Sequence, residues 1–113
     1  MTNAQAILQQ AQQAGNAAFE AEVPQPMIVT GMGQTHVVDD GVCGFAWVKI
    51  KGNTAFGRYC AKQGYARRAY GGGLAFYPGH LSQSYDRKMA WARAFARVLE
   101  SHGISAYATG HLD

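Results

Sequence analysis

Residues 42–50, VCGFAWVKI, constrain the fold more than any other stretch of this chain. In an extended strand, side chains alternate between faces, so Cys43, Phe45, Trp47 and Lys49 lie on one side and Gly44, Ala46, Val48 and Ile50 on the other. Both sides are largely apolar, which places the strand inside a sheet rather than at its edge. The chain must therefore supply neighbours on either side. Residues 52–64, GNTAFGRYCAKQG, read as a short helix with Asn53 as N-cap, Phe56, Tyr59, Cys60 and Gln63 on one face, and Gly64 as the left-handed stop. Residues 65–70 and 74–77 are extended runs separated by Gly71, Gly72 and Gly73. They form either a hairpin whose turn needs positive φ or one bent strand bulged at the glycines.

Residues 82–103 carry Trp91, Ala92, Phe95, Val98, Leu99 and His102 at helical spacing, with Ser82 or Ser84 as cap and Gly103 as terminator. Residues 104–108 alternate Ile104, Ala106 and Ala108 against Ser105 and Tyr107, a closing strand. The order from about residue 42 is thus β-α-β-β-α-β. This is an α+β class with the split βαβ arrangement of ferredoxin-like domains, two helices covering one face of an antiparallel sheet.

Ahead of this core, residues 1–22 predict a helix that Asn3 can cap, with Ile7, Leu8, Ala11, Ala14, Ala18 and Phe19 as its stripe and glutamines opposite. The stripe suits packing on the domain or on a second copy of the chain, a route to a homo-oligomer. Pro24 and Pro26 end the helix, and residues 23–41 form a linker with added strands at 27–30 and 35–38. With 113 residues, 48% of them hydrophobic and 15% charged, the chain is long enough for one core and one domain. Cys43 and Cys60, expected as reduced and buried thiols, fit a cytoplasmic protein. The first twenty residues lack a basic segment followed by an apolar one, and no run of eighteen apolar residues occurs, so neither export nor membrane insertion is expected.

The charge is unevenly distributed. Residues 1–40 hold four acids and no Lys or Arg, whereas residues 41–100 hold all ten bases against Asp86 and Glu100. Such a field attracts anions, nucleic acid among them, unless it is an ordinary solvated surface offset by the acidic N-terminal part. Two places concentrate it. In ARRAYGGGLAFYPG, residues 66–79, the backbone of Gly71, Gly72 and Gly73 beside Arg67 and Arg68 can form an anion-binding nest, and Tyr65, Tyr70, Phe76 or Tyr77 can stack a base. A plain hairpin turn explains the same glycines. Arg58 and Lys62 form a basic stripe on the preceding helix, and Arg93 and Arg97, four apart on the long helix, form a ridge suited to a phosphate backbone or simply to water. Gln83 and Ser84 precede free helix N–H groups that suit an anion or an ordinary cap.

Catalysis has little to stand on. His36, His80, His102 and His111 are scattered, no metal-ligand spacing occurs, and no phosphate-loop or dinucleotide motif implies a cofactor. A site of His36, Asp39 or Asp40, and His80 is conceivable in any chain with four histidines. Cys60 lacks an identifiable base.

The segments CGFAWVKIKGNTAFGRY, YGGGLAFYPG, QSYDRKMAWARAFARVLESHGI and the terminal HLD resemble a pattern found in small uncharacterised proteins of tailed bacteriophages, over roughly residues 42–113. The resemblance implies phage origin and expression in a host cytoplasm; it carries over no activity and no site residue. Three classes stay open: a module binding an anionic ligand, nucleic acid or nucleotide; an inhibitor or assembly factor that binds a host or phage protein; and a small enzyme.

Overall fold

The computed structural model describes residues 3–23, 27–31, 34–38, 43–69, 71–79 and 84–112. Helix α1 (Asn3–Ala21) is rich in alanine and glutamine, good helix formers, and buries Leu8, Ala11, Gly15 and Phe19. Strands β1 (Met27–Gly31) and β2 (Gln34–Val38) pair antiparallel as a separate two-stranded sheet. The rest is β3 (Gly44–Ile50), α2 (Ala55–Lys62), β4 (Arg67–Arg68), β5 (Leu74–Phe76), α3 (Tyr85–Ser101) and β6 (Ala106–Leu112). This is an α+β protein: the described residues form three helices and, besides the β1–β2 pair, a four-stranded antiparallel sheet in the order β4-β5-β3-β6.

The apolar strand β3 is internal, as its composition requires. It pairs with β6 from Gly44 opposite Leu112 to Ile50 opposite Ala106, and with β5 from Val48 opposite Phe76 to Ile50 opposite Leu74. Arg67 lies opposite Ala75 and Arg68 opposite Leu74, so residues 65–77 are a hairpin and not one bulged strand. Its turn is closed by Ala69 N–H to Gly73 O at 3.0 Å and Gly72 N–H to Ala69 O at 3.1 Å. Gly71, Gly72 and Gly73 have φ of 84°, 105° and 75°, which only glycine adopts without strain. A Cβ on Gly73 would also stand 2.6 Å from the carbonyl oxygen of Ile50.

The core fills one face of this sheet. Ala46, Val48 and Ile50 point into it, and a chain of rings runs through it: Trp91 to Phe95 at 4.8 Å, Phe95 to Phe76 at 4.9 Å, Phe76 to Phe56 at 6.3 Å. Helix α3 is started by Ser84, fully buried, whose hydroxyl accepts the Arg87 N–H at 3.3 Å. It lies antiparallel to α1, which takes its stripe to the domain. Gly15 allows the close approach, since a Cβ there would stand 2.8 Å from the Trp91 indole. The indole N–H donates to Asn16 Oδ1 at 3.2 Å, and His102 Nε2 meets Gln10 Oε1 at 2.8 Å.

Five expectations need correction. The cap of α2 is Thr54 and not Asn53, because the helix starts at Ala55 and the threonine hydroxyl then reaches the Gly57 N–H at 2.9 Å. Since α2 ends at Lys62, Gln63 is exposed instead of sharing the buried face. His102 is exposed, one residue past the end of α3. The closing strand runs from Ala106 to Leu112 rather than over 104–108, with Glu100 Oε1 accepting the Ala106 N–H at 3.0 Å and fixing where it begins. Cys43 is exposed just ahead of β3, where it bridges Ser84, while Cys60 is buried. No described helix is long and apolar enough to cross a membrane.

Candidate functional site

The other face of the sheet carries none of the described helices. On β3 it presents Phe45, Trp47 and Lys49, and the pairing register arranges their neighbours in rows, because directly opposed residues share a face. His111 stands opposite Phe45, Thr109 opposite Trp47 and Tyr107 opposite Lys49. Beyond Lys49 come Ala75 and then Arg67. Tyr77, one residue past β5, lies 6.1 Å from Trp47, and the His111 ring is 5.3 Å from Phe45 and edge-on to Trp47 at 5.7 Å.

Phe45, Tyr77 and Tyr107 remain 47%, 50% and 56% exposed, too open for core residues. A shallow depression of about 620 Å³ lies among these rings. Lys88, from the first turn of α3, donates to Gly44 O at 2.9 Å and holds its ammonium 5.0 Å from the Phe45 ring. Lys49, Arg67 and Lys88 thus give the face and its rim positive charge, and among the described residues no acidic side chain lines the depression.

The residues singled out from sequence fall in different places. Arg67 belongs to the open face, whereas Arg68 alternates to the side of Leu74 and Ile50. Arg58 and Lys62 are exposed on α2, which packs through Phe56 on the covered side; Arg58 Nη1 donates to Asn53 O at 3.2 Å. Arg93 and Arg97 are exposed on α3, turned from the stripe of Phe95 and Leu99. The structure does not gather these four with the glycine turn. Gly71, Gly72 and Gly73 form the β4–β5 turn, but the Gly72 N–H is donated to Ala69, so the turn is not a full nest of amides. Tyr70, His80 and Gln83 lie outside the described residues, as do Asp39 and Asp40. Of the stacking candidates, Tyr65 and Tyr77 are exposed, while Phe76 is buried and belongs to the core.

Phe45, Trp47, Lys49, Tyr107 and His111 were not singled out. The available signal was their shared parity on β3 and β6, but the sequence does not tell which parity the helices cover.

Among the described residues no three His, Cys, Asp or Glu side chains converge as metal ligands. Cys60, on α2, has its thiol pushed up by burial to about 12, which keeps it protonated and unreactive near neutrality. No family model, curated protein or solved structure matches the chain, and nothing in these comparisons links it to phage proteins. The surface combines flat, half-exposed rings with cations: it can stack planar groups and attract phosphates.

Proposed function

We propose that the chain is a non-enzymatic module that binds nucleic acid, taken up as a single strand on the open face of its sheet. The observation that carries this reading is the run of rows on one face, Phe45 with His111, Trp47 beside Tyr77, and Lys49 with Tyr107, with Arg67 in the same row as Lys49. Bases of a single strand expose π-faces that stack on such rings, each stacking contact contributing about 1–3 kcal/mol. A duplex hides those faces, and its phosphates alone would not call for aromatic rings. The cations steer the strand and neutralise its backbone.

The same reading takes residues 43–112 as a ferredoxin-like unit. Counting its strands from β3, the sheet order is 2-3-1-4 and the helices follow the first and third strands, which supports the split βαβ arrangement.

Tryptophan emission tests the reading. The protein has two tryptophans, and Trp91 is buried against α1, so quenching by a ligand on the open face reports on Trp47. Titration with a short oligothymidylate at low salt is expected to quench that emission, the duplex form to do so weakly, and Trp47→Phe to abolish most of the change. An emission and a mobility unaltered by either form would rule the reading out.

A further inference from the structure

Where β3 runs out, a second cavity of about 640 Å³ opens beside the glycine turn, lined by Lys49, Lys51, Asn53, Gly73 and Ser105 among others. Lys49, in the last row of β3 but one, and Lys51, just past its end, both line it. Among the described residues no acidic side chain lines the cavity. The turn forms one wall: a Cβ on Gly71 would lie 3.8 Å from Lys49 Nζ, and one on Gly73 would lie 3.8 Å from Lys49 Cε. The lysine stem therefore runs along bare main chain, where bulkier residues would close the approach. Asn53 and Ser105 add neutral hydrogen-bond donors to the two ammonium groups.

Lys49 and Tyr107 line both this cavity and the aromatic depression, so the two are continuous. Successive rows on a strand are about 6.8 Å apart, room for one base per row.

We infer that this cavity is the phosphate subsite of the aromatic face: it holds a phosphate of the bound strand while the adjoining bases stack on Tyr107 and Trp47. This rests on the nucleic-acid reading above, but it assigns the anion to Lys49 and Lys51 rather than to the arginines of the hairpin. Lys51 is exposed at the cavity, outside the strand ladder, so replacing it leaves the fold in place.

Two probes separate the inference from the reading on which it rests. In the first, oligothymidylate binding is followed by Trp47 quenching across a salt series. Lys51→Ala is expected to weaken binding about three- to tenfold at low salt and to reduce the slope of log K against log salt by about 0.7, the contribution of one phosphate contact on a single strand. The quench at saturation should stay as in the wild type, and Lys51→Arg should restore affinity and slope. In the second, inorganic pyrophosphate is titrated while amide resonances are recorded. Shifts at Lys51, Gly73 and Ser105 are expected in the wild type and are lost in Lys51→Ala. Unchanged affinity and slope in Lys51→Ala, with the quench intact, would overturn the phosphate subsite and leave the stacking face standing. Pyrophosphate shifts without any quenching by oligothymidylate would support an anion site here while removing the stacking reading.

Discussion

The two faces of the four-stranded sheet are made by the same strands, yet they end in different states. On β3, Ala46, Val48 and Ile50 are at most 4% exposed, while Phe45, one position away, keeps 47% of its surface in water. Hydrophobicity does not distinguish the two sets; cover does. Helix α3 brings the rings of Trp91 and Phe95 to the first face, and small and aliphatic strand residues leave room for them. The second face carries the bulkier strand residues and receives none of the described helices, so apolar area that folding leaves in water is available to a ligand, at about 25 cal/mol for each Å² it removes.

Substitutions on either side sharpen this contrast. The largest effect belongs to the covered face: Phe95→Ala, at a residue 1% exposed, is expected to cost about 3–5 kcal/mol in urea denaturation. A loss below that range would mean that the ring packing tolerates a void and that the two faces differ less than their exposures suggest. Next comes the helix pairing that completes the cover. Gly15→Val drives a side chain into the Trp91 indole and is expected to destabilise by about 1–3 kcal/mol, with the Trp91 emission altered.

On the open face the effect moves from stability to binding. Trp47→Ala should leave most of the denaturation free energy in place and weaken oligothymidylate by about 1–3 kcal/mol. A smaller effect is expected at the hairpin. Arg67→Ala lowers the salt dependence of binding by about 0.7 in slope, whereas Arg68→Ala, on the opposite parity, does not. Equal effects would erase the distinction between the faces at that edge.

The covered side also carries a pH signature, absent near neutrality. The folded state holds the Cys60 proton up to about 12, against an ordinary value of 9.0. The unfolded chain therefore releases that proton first. The stability contribution is complete below pH 9 and is lost as pH rises from about 9 towards 12, and Cys60→Ala should flatten this decline. At neutral pH the exposed Cys43 should react with a thiol reagent at once, and Cys60 only as the protein opens.

Much of the architecture was legible because periodicity is a local property. The stripes of α1 and α3 and the internal position of β3 each follow from the pattern within one segment, whereas the glycine stretch left a hairpin and one bulged strand open until the pairing of Arg67 with Ala75 decided it. The far half of β6 was not legible: Thr109, Gly110 and His111 break the alternation of apolar residues, and it is the pairing with β3 that keeps them extended. The open face escaped for a different reason. When both parities of a strand are apolar, only the arrival of distant helices decides which one is covered. The sequence names Arg67 and Arg68 together, and only the register that links Arg67 to Ala75, Lys49 and Tyr107 separates the two.

The pairing of α1 with α3 bears on how the chain is made. Contacts such as Asn16 with Trp91 and Gln10 with His102 join residues 75 and 92 positions apart. During synthesis at roughly 5–20 residues per second, α1 leaves the ribosome seconds before any residue of α3 exists. Over that interval its stripe has no partner, and its makeup suits the wait: of the four residues it finally buries, Ala11 and Gly15 are small, and five glutamines stand among its exposed positions. A helix this weakly apolar is a poor nucleus for aggregation, and it closes over Trp91 only when the last third of the chain has emerged.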